Sequence, residues 1–279
     1  MAIITTNDDW RYQTAGIGKT IAAVAVGGGV YTATALTQVP FAKYSTSQMA
    51  KIGQSCDSVV LNQGIDKAFE NFKLPSKGVK IINVNENTPT DPMFKKLPNW
   101  LKKMIDPMEA TKAGENAFFQ PAYNQILVNR NKLGTATFHE MGHAVNFNFS
   151  KFWKGMQGLR LPCMVLGGLL GSVALFKCKK VEGEEPNGFI DKTTTFIKNN
   201  VGKLVLLTSA PVVAEELMAT HRGNSMAKKV LSPELFKKVK LTNRWGAATY
   251  VAIAIGSALA AVTSSKVRDA IAKPKEISD

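Results

Sequence analysis

Thr137-Phe138-His139-Glu140-Met141-Gly142-His143-Ala144-Val145 is the stretch whose reading decides the fold of this 279-residue chain. Histidines spaced four apart on a helix share one face, a turn apart, so both imidazoles can reach a single metal ion. The residue after the first histidine then lies beside that ion, where a carboxylate can take a proton from metal-bound water. His139, Glu140 and His143 meet this requirement, the histidines as candidate zinc ligands and Glu140 as the candidate general base. The chain holds 3 histidines, and two of them fall inside the pattern, which weighs against an ordinary polar helix face. Phe138 before the motif and Ala144-Val145 after it give the helix an apolar side to bury, and the periodicity predicts a helix from about Leu133 to Phe149.

A catalytic zinc takes three protein ligands and keeps a fourth position open for water. A downstream carboxylate is available in Glu215-Glu216-Leu217-Met218-Ala219, at the end of an apolar segment where an unpaired acid is costly. Either glutamate can serve; the bland alternative is a solvated pair at a membrane surface. His221, the last histidine, and Arg222 are candidate donors to the oxyanion of a tetrahedral intermediate.

Around the motif the chain alternates between soluble and apolar character. Residues 1–15 are polar, and an apolar stretch runs from Ile21 to Leu36. It reads as a membrane helix, with a leader cleaved after Ala33-Thr34-Ala35 as the alternative. Residues 46–72 show helical periodicity, and residues 78–84 read as a strand. Residues 85–115, with Pro89, Pro92, Pro98 and Pro107, read as loop with a short basic helix around Trp100–Met104. Asn116–Phe119 and Gln125–Asn129 read as strands joined by a turn at Pro121. Further apolar segments cover Leu161–Phe176, Val201–Ala214 and Gly246–Thr263.

Lys and Arg number 35 against 21 Asp and Glu, a formal charge of +14. The basic residues form no stripe interleaved with aromatics and no zinc-finger pattern, so nucleic acid is not expected as a partner. An anionic lipid surface fits the charge and the apolar segments together. Cys56, Cys163 and Cys178 are too few and too scattered for a disulfide framework or a zinc-ligand set.

Asn116-Ala117-Phe118, Ile126-Leu127-Val128, His139-Glu140-Met141-Gly142-His143 and Glu216-Leu217-Met218-Ala219 together resemble the HtpX-like and CAAX prenyl endopeptidase family of integral membrane zinc metallopeptidases. That family reads N-A-F, an edge strand, H-E-x-G-H, a membrane hairpin and E-x-x-A-D, in this order. The resemblance covers residues 114–223 and implies a gluzincin-type fold with Glu216 as third ligand. It also implies substrate binding at Asn116, Ala117 and Phe118 and by backbone pairing on an edge strand carrying Ile126 and Val128. Thr220 stands where the family has Asp, which weakens or alters the hydrogen bond behind the metal helix. Lys and Arg are almost evenly divided between the two sides of the expected spans, so the resemblance alone favours a cytoplasm-facing site.

The expected architecture is α+β and mainly α: a zincin-like metallopeptidase domain with a short edge-strand sheet, and about four transmembrane or membrane-embedded helices. Its expected parts are an N-terminal segment and first span (1–37), a catalytic domain (38–158), a membrane hairpin (159–214), a third-ligand helix with a basic surface segment (215–245) and a last span with tail (246–279). The expected activity is hydrolysis of peptide or membrane-protein substrates. A catalytically inactive peptidase-like binding or scaffold protein is the alternative.

Overall fold

A computed structural model describes residues 12–13, 17–89, 106–178, 185–272 and 275–276. It is mainly helical, with a small sheet, and divides into two compact units. One comprises residues 39–162 and 210–252; the other comprises residues 1–38, 163–209 and 253–279. The expected helix at Trp100–Met104 lies outside the described residues.

The first unit opens with α2 (Gln38–Gln54) and α3 (Ser58–Asn71). The periodicity of residues 46–72 predicts one helix, and the structure has two. Asp57 ends the continuity by accepting hydrogen bonds from the Val59 and Val60 N–H groups, so it caps a new helix rather than extending the old one. α3 buries Leu61, Ile65 and Ala68 against the sheet and the motif helix. Strand β2 (Lys80–Asn83) follows, then α4 (Pro107–Ala113), capped by Asp106 with proline in its first turn. Strands β3 (Ala117–Gln120) and β4 (Gln125–Val128) complete a sheet of order β2-β4-β3. β4 is parallel to β2 and antiparallel to β3.

This order corrects one expectation. The strand carrying Ile126 and Val128 is central, not an edge, and its backbone groups are committed to neighbours on both sides. Ile126 and Val128 are fully buried in the hydrophobic core, so neither faces a substrate. The edge beside the motif helix belongs to β3.

After the short helix α5 (Arg130–Leu133) and a 3-10 turn at Gly134–Ala136, the motif helix α6 runs from Thr137 to Phe149. It packs on β3 and β4, burying Phe138, Met141 and Ala144. On its other side it meets α9 (Gly188–Val230) with almost no side chain between the backbones. A Cβ on Gly142 would overlap the Ala219 carbonyl, and one on Gly223 would overlap the Phe138 carbonyl. Helices α7 (Lys151–Gly158) and α8 (Arg160–Phe176) follow the motif helix, and α10 (Pro233–Ile271) follows α9.

The second unit is built from α1 (Ile17–Leu36), the later part of α8 and parts of α9 and α10, with a short antiparallel pair of β1 (Tyr12–Gln13) and β5 (Lys275–Glu276). Its small core is Ala174, Val201, Val205, Ala258 and Ala261. Leu166, Leu169, Phe176, Leu207 and Leu259 face outward, a pattern suited to lipid rather than water. Among the described residues two helical stretches, Gly18–Gln54 and Pro233–Ile271, are long and apolar enough to cross a membrane; a third arises if α7 and α8, bent by 40°, count as one span. Four were expected. Val201–Ala214 lies inside the 43-residue α9, where Lys203 interrupts the apolar run and Lys192 and Lys198 precede it.

Candidate metal centre

Helix α6 presents His139, Glu140 and His143 from one side, and α9 presents Glu215 and Glu216 from the other. All five side chains are buried. The Gly142–Ala219 and Gly223–Phe138 contacts bring the two helices close enough for their side chains to meet.

Three atoms converge on one point. His139 Nε2 lies 3.0 Å from His143 Nε2 and 3.1 Å from Glu216 Oε2, and His143 Nε2 lies 3.4 Å from the same oxygen. Ligand atoms about 2.0–2.1 Å from a tetrahedral ion stand about 3.3–3.4 Å from one another, so the triangle has the size a metal requires. Glu215 does not join it. Its Oε1 lies 2.9 Å from His143 Nδ1, on the far side of the ring. Asn146 Nδ2 and Gln157 Nε2 donate to the same oxygen, at 2.8 and 2.7 Å. Thr220 Oγ1 lies 3.2 Å from His139 Nδ1. Each imidazole thus has a partner behind it that fixes the ring and turns Nε2 inward. Thr220 stands behind one ring, and a carboxylate, Glu215, stands behind the other.

The electrostatics agree with a cation. Arg160 pairs with both downstream glutamates, through Nη2 to Glu216 Oε1 and through Nη1 to Glu215 Oε2 at 3.4 Å. With the imidazoles neutral, the carboxylates of Glu140, Glu215 and Glu216 against one guanidinium leave two negative charges, which a divalent ion would balance. Burial raises the carboxyl pKa of Glu140, against the lowering effect of the two histidines. For Glu216 burial pushes upward too, but the His143 charge and the imidazole hydrogen bonds win and hold it well below the usual range. Burial opposes protonation of His143, yet the Glu216 and Glu215 carboxylates raise its pKa well above the ordinary value. Buried groups able to hold a metal ion are present, His139 with Glu140 and His143, and His143 with Glu215 and Glu216.

Glu140 has its own setting. Its Oε2 accepts a hydrogen bond of 2.7 Å from the Phe119 N–H of β3. A cavity of about 220 Å³ opens beside Glu140 and His143, and Asn116, Ala117 and Phe118 line it as well. Arg160 and Tyr250 form part of its wall. His221 and Arg222 do not. His221 is exposed, since five residues beyond Glu216 turns it about 140° around the helix axis. Arg222 is half-buried, feels the Glu215 charge and lines no part of the cavity.

Sequence reasoning passed over Asn146, Gln157, Arg160 and Tyr250. Asn146 carried a usable signal, being one turn beyond His143 on the same helix face. Tyr250 carried another, a lone phenol within an apolar run. Gln157 and Arg160 carried none, because their roles depend on α9 folding back beside them. Comparison of the chain with protein-family models, with curated proteins and with solved structures finds no match.

Proposed function

We propose that this chain is a membrane-bound zinc metalloendopeptidase, distantly akin to the HtpX-like and CAAX prenyl endopeptidases. The observation that carries the reading is the convergence of His139 Nε2, His143 Nε2 and Glu216 Oε2, with Glu140 beside them below the edge of β3. His139, His143 and Glu216 would hold the zinc, and when bound it would polarise a scissile carbonyl and lower the pKa of its water.

The remaining work falls to residues of this chain. An extended peptide pairs with the outer edge of β3, where the alternation of the strand leaves the backbone groups of Ala117 and Phe119 unclaimed by β4. Glu140 gives up its bond to the Phe119 N–H, takes the proton of the attacking water and delivers it to the leaving amine. Tyr250 lines the cavity with its ring 5.6 Å from the Arg160 guanidinium carbon, and its O–H donates to the oxyanion. Low accessibility around Glu140 keeps bulk water from competing for these donors. The exposed apolar side chains of the second unit belong in lipid, and the site faces the cytoplasm by analogy with the family.

The test is direct. Protein purified in detergent should hold one zinc per chain and cleave an unfolded reporter polypeptide. Glu140→Gln should keep the metal and lose about two to four orders of magnitude in rate. Undiminished turnover in that variant, or a wild-type protein that takes up no zinc, would overturn the reading.

A further inference from the structure

Arg160 does more than line the cavity. It is the first residue of α8, and its guanidinium spans two adjacent glutamates of α9. Glu216 is split by this contact: Oε1 is held by Arg160, while Oε2 faces both imidazoles. Glu215 is split in the same way, with Oε2 toward Arg160 and Oε1 toward His143 Nδ1. One cation therefore grips both the carboxylate that would bind the metal and the carboxylate that orients one of its histidine ligands. The Tyr250 ring, 5.6 Å from the guanidinium carbon, supports the fork from one face.

A carboxylate can bind a metal through one oxygen or through both. With Oε1 committed to a guanidinium, Glu216 has one oxygen to offer. We infer that Arg160 is a positioning residue that restricts Glu216 to single-oxygen coordination and thereby keeps the centre four-coordinate, with a position left for water. The inference rests on the metal reading proposed above. A lysine would supply the charge but not the planar fork that reaches two carboxylates at once, so the effect belongs to the geometry of arginine.

The experiment uses the full chain in detergent, with zinc affinity measured by competition against a chromophoric chelator and coordination read from the visible spectrum of the cobalt(II)-substituted protein. Arg160→Met is expected to weaken zinc binding by about 10- to 100-fold and to lower the intensity of the cobalt bands, as the freed oxygen raises the coordination number. Arg160→Lys should recover part of the affinity and none of the spectrum. Should Arg160→Met not fold, the cobalt spectrum of Arg160→Lys decides alone. Variants with wild-type affinity and wild-type spectrum would overturn the role of Arg160 while leaving the metal site standing. Failure of the wild-type protein to bind zinc or cobalt would remove the metal reading and this inference with it.

Discussion

Each unit of this protein buries ionised side chains, and the two do so in different ways. In the membrane-type unit Lys198 is buried against Asp269, 2.8 Å away, and its remaining protons go to Ser265 Oγ and the Ala174 carbonyl. Arg268, wholly inaccessible, reaches Asp269, the Phe176 carbonyl and Cys178 Sγ. Most donors there meet acceptors, Arg268 Nε being a buried exception, and among the described residues of this unit no group of ligand atoms points at a common centre. In the other unit the arrangement is reversed. Two imidazole nitrogens and a carboxylate oxygen crowd together within 3.0–3.4 Å, and all three offer lone pairs when the rings are neutral. Acceptors in mutual contact repel one another unless protons or a cation lie between them. Burial of charge is common to both clusters; among the described residues convergence of possible ligand atoms is found in one, and convergence is what a metal site requires.

The sharpest way to break this contrast is His143→Ala. Loss of one ligand of three should abolish stoichiometric zinc binding, measured by metal analysis after dialysis. Retention of a full equivalent would mean the triangle is not the site. Lys198→Met should behave oppositely: removing one partner of a buried pair destabilises the fold by about 3 kcal/mol, read by thermal unfolding, with metal content unchanged. Gly142→Ala tests the contact that brings α6 and α9 together. The new methyl meets the Ala219 carbonyl, so about 1–3 kcal/mol of stability should be lost and zinc affinity should fall in parallel. The smallest effect is expected from Thr220→Val, which removes the hydroxyl behind His139 and should weaken zinc binding about tenfold without altering the melting temperature of the metal-free protein.

Much of this architecture could be read along the chain. The spacing of His139 and His143 places both rings on one face of a helix, and the strands at Ala117–Gln120 and Gln125–Val128 announce themselves as short apolar runs around a turn. The long apolar segments are equally visible. Strand order was not. β2 joins β4 in parallel from far up the chain, and nothing local in Lys80–Asn83 says which side of β4 it will take. The edge was therefore assigned to the wrong strand. The break at Asp57 was lost for a different reason: apolar periodicity continues across it, and one capping carboxylate outweighs the pattern.

Within the candidate site the division follows the same line. The sequence by itself determined what is local: two imidazoles a turn apart, a carboxylate between them, and a pair of acids downstream after an apolar run. Only the tertiary structure decided that Glu216 meets both rings while Glu215 stands behind one of them, because adjacent residues on a helix differ by about 100° in direction and the choice depends on how α9 is turned. That rotation is set where Gly142 and Gly223 allow two backbones to touch, joining groups 77 residues apart. Periodicity is written into the chain residue by residue. The selection between neighbouring glutamates is a property of packing, and packing is not written in any one segment.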